Sequence, residues 1–200
     1  MVYNICMKID YNKLMHEEIS SFGSIKPKLL LHCCCAPCST AVIEKLAKHF
    51  EITFFFYNPN IFPKQEFDLR KSQFEKLGVQ VVDIGYNHQE FVDLVHGLEA
   101  EPEGGARCRI CIADRLDKAF NYAIANNFDI VTTTLSISPH KDAQFINQLG
   151  EINEKKYGIK FLHADFKKED GYLRSIQICK EKQIYRQDYC GCEFSKNNKD

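Results

Sequence analysis

Apolar positions fall in short strand-length runs separated by longer stretches with helical periodicity. "KLLLHC" (28–33) is a continuous apolar run and reads as a buried strand. "PCSTAVIEKLAKHF" (37–50) puts Val42, Leu46 and Phe50 on one helical face, with Pro37 suited to the first turn. "EITFFFYN" reads as a second strand and "KQEFDLRKSQFEKLG" as a second helix ended by Gly78. "VQVVDIG" is a third strand, and a helix near "NHQEFVDLVHGL" follows. After the loop "EAEPEGGAR" a long helix spans about 107–127, "FDIVTTTL" is a fourth strand, and another helix runs to about residue 157. "IKFLHA" is a fifth strand and "YLRSIQICKEKQI" the last helix.

This alternation predicts an α/β fold with a doubly wound, parallel five-stranded sheet, in an order such as 3-2-1-4-5 with right-handed crossovers. Ligands bind such sheets beyond the carboxyl ends of the strands, at the switch between strands 1 and 4. The loops there are "CCCAPC" and "SISPHK", so both are expected at one site. Residues 1–28 read as an N-terminal extension, with a helical patch at 11–19 and the linker "SSFGSIKP". Residues 29–195 form a single α/β domain with a C-terminal cysteine tail, and 196–200 are expected to be disordered.

Composition fits that plan. The 200 residues are 44% hydrophobic and 26% charged, which is globular and enough for a full core without disulfides. A net charge of −1 argues against binding nucleic acid by bulk charge, although it leaves room for a local basic patch. The opening "MVYNICMKIDYNK" has no apolar core of signal-peptide length, and no run approaches the ~18 apolar residues of a membrane span. A cytoplasmic location is expected, where ten cysteines read as metal ligands, redox thiols or core residues, not as a disulfide framework.

The cysteines fall in three constellations. Cys33, Cys34, Cys35 and Cys38 occupy the end of strand 1 and the following turn. Cys33, still in the strand, reads as core. Cys34 and Cys35 can share a metal only where the strand has ended, because neighbours in a strand point to opposite faces. Cys38 falls in a first helical turn, where the backbone dipole favours a thiolate. Cys108 and Cys111 lie at i and i+3 and share a helix face, at a helix start on the same sheet edge. Four thiols from two loops suit tetrahedral zinc or an iron–sulfur cluster. Cys190-Gly191-Cys192 would close a small, strained and easily reduced disulfide, with Gly191 supplying backbone freedom. Cys179 reads as core and Cys6 as incidental.

Weaker candidates are Tyr57, Asn58 and Asn60 after strand 2, and Ser136, Ser138 and Lys141 in the loop after strand 4. The serines and lysine suit an anion-facing loop or ordinary helix capping. The glycine-rich loop of an ATP pyrophosphatase is missing, since "HCCCAPCS" stands in its place, and ATP-dependent chemistry is disfavoured.

Taken in order, "HCCCAPCS", "FYNPNIFP", "EGGARCRICIADRLDKA", "TTTLSISPHKD", "HADFKKEDGY" and "YRQDYCGCEFS" resemble the cobalamin-independent epoxyqueuosine reductases, the QueH family, over residues 29–195. The resemblance implies a HUP-like α/β domain that reduces epoxyqueuosine to queuosine at the tRNA wobble position. It implies a 4Fe-4S cluster on Cys34, Cys35, Cys108 and Cys111, and a redox-active pair in Cys190 and Cys192. Some relatives carry an aspartate at the position of Cys38, which makes Cys38 a candidate ligand of the cluster or of an additional iron. The chemistry agrees: turning an epoxide into an alkene consumes two electrons, which zinc alone cannot supply. The partners implied are a tRNA anticodon loop and an unidentified electron donor, with no membrane. Arg107, Arg109, Lys155, Lys156, Lys167, Lys168 and Arg174 are candidate phosphate contacts. The competing readings are a zinc-stabilised nucleic-acid-binding module and a thiol–disulfide oxidoreductase.

Overall fold

The computed structural model describes residues 9–196, so Cys6 and residues 197–200 lie outside it. The sheet is five-stranded and parallel throughout, in the order β3-β2-β1-β4-β5. Its strands are β1 (Lys28–His32), β2 (Glu51–Phe55), β3 (Val81–Val82), β4 (Ile130–Thr133) and β5 (Lys160–Phe161). The doubly wound order expected from the alternating pattern is therefore the order found.

Central β1 is covered on both faces, which is why it reads as an unbroken apolar run. Leu29, Leu31 and Cys33 join one core cluster with Val42, Leu46 and Ile178. Leu30 joins the other with Leu116, Phe120 and Val131. The first face is closed by α2 (Ala36–Leu46) and α7 (Gly171–Glu181), the second by α5 (Ala106–Ala125) and α6 (Ala143–Tyr157). The edge strands are shorter than the sequence suggests: only two residues each of "VQVVDIG" and "IKFLHA" pair. Each borders a single neighbour, so little ladder holds the outer residues in line.

The extension contributes α1 (Tyr11–Ser21), N-capped by Asp10, whose side chain accepts from the backbone N–H groups of Asn12 and Lys13. Its Met15 and Ile19 enter the same core cluster as Leu29 and Leu31. At the other end, α8 (Glu193–Lys196) follows the cysteine tail, so Lys196 closes a helix where disorder was expected. Between these, α3 (Lys64–Ser72) and α4 (His88–Leu94) flank the turn after β2.

Candidate functional site

β1 ends at His32, and Cys35 is the N-cap of α2 with φ −171° and ψ 163°. The strand's alternation is thereby broken and neighbouring thiols can converge. The Sγ atoms of Cys34, Cys35 and Cys38 lie within 4.8 Å of one another, the metal-capable group found among the described residues. Cys34 also accepts from the Thr134 hydroxyl at 3.3 Å, across the switch point. Cys33 is fully buried, its thiol donating to the Leu31 carbonyl, and Cys179 is likewise core.

These thiols have unequal acidities. Hydrogen bonds from Cys35 and Cys38, with Arg115 and Thr134 in support, hold the Cys34 thiol well below the ordinary range. Donating to Cys34 pushes Cys35 up to about 12, and Cys38 also rises. Among the three, Cys34 is the one poised as a thiolate.

Cys34 and Cys38 line a cavity of about 510 Å³ together with Asn58, Asn60, Arg115, Lys141, Tyr172 and Cys190, while Cys35 lies buried behind them. A second, small cavity of about 20 Å³ shares Asn60, Arg115, Lys141 and Cys190, and adds Cys108, Cys111 and Cys192. Cys108 and Cys111 stand in the first turns of α5, where Cys108 Sγ accepts the Gly104 N–H at 3.2 Å. Burial pushes the Cys111 thiol up to about 12, opposed by the adjacent Arg115, and burial raises Cys192 to about 11. All nine described cysteines are free thiols. The three constellations thus border two adjoining cavities, with Cys190 common to both; Cys34 and Cys35 are grouped most tightly with Cys38.

Polar residues hold the frame. Asn58 donates to the Cys33 carbonyl at 2.9 Å and accepts from Arg115 Nη2 at 2.5 Å. Buried His32 bridges the Thr133 hydroxyl and the Tyr57 carbonyl; burial and then Arg115 lower its pKa to about 3, so it stays neutral. Lys141 lies 3.4 Å from both Cys190 Sγ and a Glu103 carboxylate oxygen. Burial disfavours its charge, but the facing Cys190 and Glu103 outweigh that and raise its pKa above the usual lysine range.

Other expectations come out differently. Ser136 is buried and accepts from the Phe166 N–H, so it belongs to the core and not to the cavity wall. Ser138 does line the larger cavity, but Asp142, not a serine, caps α6. The Tyr57 hydroxyl donates to Glu90 and Asp114, and Tyr57 lines neither of the two cavities. Arg107 is 1% exposed and donates to the carbonyls of Leu98, Glu99 and Glu101, which removes it as a phosphate contact. Arg174 pairs with Glu44, Lys156 with Asp117 and Lys167 with Asp165. Arg109, Lys155 and Lys168 are exposed.

Arg115 was missed as a site residue. It lies four residues after Cys111 and so on the same helix face, a spacing visible in the sequence.

Thiols and buried cations thus gather at the carboxyl edge of a doubly wound α/β sheet, where such folds bind their ligands. The chain belongs to the epoxyqueuosine reductase QueH family, whose sequence model matches residues 29–198. It is 44% identical to the epoxyqueuosine reductase QueH of Streptococcus pyogenes serotype M1, over 94% of this chain and 78% of the relative. Identity to the QueH of Staphylococcus epidermidis is 38%, over 94% of this chain and 85% of that one. Identity to the Thermotoga maritima QueH is 33%, over 84% and 89%. Among the described residues no helix is long and apolar enough to cross a membrane.

Proposed function

We propose that this chain reduces epoxyqueuosine to queuosine at the wobble position of tRNA, in the larger cavity at the carboxyl edge of the sheet. The observation that carries the reading is the convergence of three cysteine constellations on two cavities that share Asn60, Arg115, Lys141 and Cys190, in a chain of this family.

The reaction takes two electrons and two protons, breaks both C–O bonds of the epoxide and yields an alkene and water. Oxidation of the Cys190 and Cys192 thiols to a disulfide releases two electrons and two protons, which balances one turnover. An electron donor must then restore the dithiol.

The donor set also fits an iron–sulfur cluster. Arg107 and Arg115 line the small cavity with Cys108 and Cys111, and each keeps a buried N–H without an acceptor. Unpaired buried cationic donors favour an anionic, thiolate-ligated group beside them. Cys34, Cys35, Cys108 and Cys111 would hold it, with Cys38 as a further ligand or the holder of an additional iron. When bound, such a cluster would supply one-electron redox chemistry. The chain's own groups do the rest. Lys141, whose pKa lies above the usual lysine range, donates a hydrogen bond to the oxygen as its bonds to carbon break. Asn58 and Asn60 hold polar edges of the substrate. Arg109, Lys155 and Lys168 remain available to phosphates of the anticodon loop.

The test is incubation of anaerobically reduced protein with epoxyqueuosine-containing tRNA, followed by nucleoside mass spectrometry. Queuosine should appear, and iron and labile sulfide should accompany the purified protein. Failure to form queuosine, with colourless protein carrying one zinc, refutes the reading.

A further inference from the structure

The tail brings Cys190 back to the carboxyl edge, and one side chain fixes where it stops. Arg70 on α3 is 2% exposed, although it carries a full charge. Its Nε donates to Glu66 at 2.7 Å. Its Nη1 donates to the carbonyl of Cys190 at 3.0 Å, and Nη2 reaches that of Tyr189 at 3.4 Å. The guanidinium lies 4.9 Å from the centre of the Tyr189 ring. Every edge of the fork is thus engaged, and two of its partners are the backbone leading into the thiol pair.

The turn itself is built around this contact. Gly191 has φ +104°, and a Cβ there would stand 2.7 Å from Arg70 Nη1 and 3.1 Å from Ile61 Cγ1. The Gly191 carbonyl accepts the Phe62 N–H at 2.9 Å. Glu66, which orients Arg70, also receives the Tyr185 hydroxyl at 3.3 Å. A buried arginine whose donors go to main-chain carbonyls of a segment about 120 residues away has no surface role left to play.

We propose that Arg70 is the positioning residue of the thiol pair: it holds the 189–191 backbone so that Cys190 faces both cavities in the dithiol state. This rests on the redox role given to Cys190 and Cys192 above. Both thiols are free while the clamp is made. Joining residues i and i+2 must reshape the turn, so the clamp stabilises the dithiol and its loss favours the disulfide. Lysine keeps the charge and the Glu66 pair, yet one ammonium cannot span two carbonyls and stack on a ring.

The test uses Arg70→Lys and Gly191→Ala in the full chain. The Cys190–Cys192 equilibrium is read in glutathione buffers by acid quench, alkylation and mass spectrometry. It should move about tenfold toward the disulfide in both variants. The single-turnover rate at saturating tRNA should fall about tenfold, with tRNA affinity and iron content within about twofold of wild type. A rate or an equilibrium unchanged from wild type overturns the proposal. Cys190→Ser separates the two levels. If that variant still turns over repeatedly, the redox reading fails; if it is dead while Arg70→Lys and Gly191→Ala behave as wild type, only the role of Arg70 fails.

Discussion

Arg115 donates from Nη2 to Asn58 Oδ1 at 2.5 Å, and the same buried guanidinium faces both Cys34 and Cys111. One helix residue therefore ties the turn after β2 to both cysteine loops. Arg115→Met keeps much of the volume but strands the Asn58 carbonyl and removes the cation between the thiols. We expect a loss of about 2 kcal/mol in denaturant unfolding, the cost of a charged buried hydrogen bond and an orphaned acceptor. Bound iron should fall with it. Full iron content in a folded variant would show that the thiols do not depend on this charge.

The ligand set makes a second expectation. Cys108→Ala and Cys111→Ala should each strip or strongly deplete iron and sulfide, because each removes one of the four proposed thiolates. Cys38→Ala discriminates further, since Cys38 is the third member of the tight group with Cys34 and Cys35. Loss of about one iron with the sulfide retained would mark Cys38 as the holder of the additional iron. Loss of both would place it in the cluster's own ligand set.

Which parts of this site were legible in the sequence follows from the range of the interactions involved. The run ending at His32, the breaking of alternation at Cys34 and Cys35, and the shared face of Cys108 and Cys111 are local periodicities, and the sheet order followed from alternation together with the right-handed crossovers that doubly wound sheets adopt by default. Arg115 was legible by the same helical spacing. Arg70 was not: its partners are the carbonyls of Tyr189 and Cys190, and nothing in "KQEFDLRKS" distinguishes it from a solvated helix charge. Arg107 misled for the converse reason, because a basic residue beside a loop reads as exposed until the loop's carbonyls fold around it. The edge strands were overestimated because apolar content does not report how many neighbours a strand has.

Packing behind the site gives a third expectation. Gly150 on α6 lies flat against the buried Phe161 ring of β5, and a Cβ there would collide with that ring. Phe161 is itself 3% exposed and stacked near Phe120, so it has nowhere to move. Gly150→Ala should destabilise by about 1–3 kcal/mol, overpacking outweighing the better helix propensity of alanine. The denaturation midpoint should fall with the m-value unchanged. Increased stability would mean that this helix and strand are not in contact.

The N-terminal helix is held by a titrating contact. His163 Nδ1 lies 2.6 Å from Glu18 Oε1, and the His163 N–H donates to the other oxygen of that carboxylate at 2.9 Å. The imidazole stacks on Tyr11 at 6.0 Å, and Nε2 lies 3.5 Å from Glu151. Burial alone would lower the His163 pKa, but the hydrogen bond and charge of Glu18, aided by Glu151 and Glu154, raise it above the ordinary 6.5. A histidine raised on folding stabilises the fold fully below its unfolded pKa. The contribution fades as pH climbs through the raised folded value and is absent above it. Because Glu18 is partly exposed, screening limits the effect to about 1 kcal/mol. Wild type should therefore lose about that much stability between pH 6 and 9 relative to His163→Gln, whose side chain does not titrate. Equal pH slopes for the two proteins in denaturant titrations would show that the imidazolium does not hold α1.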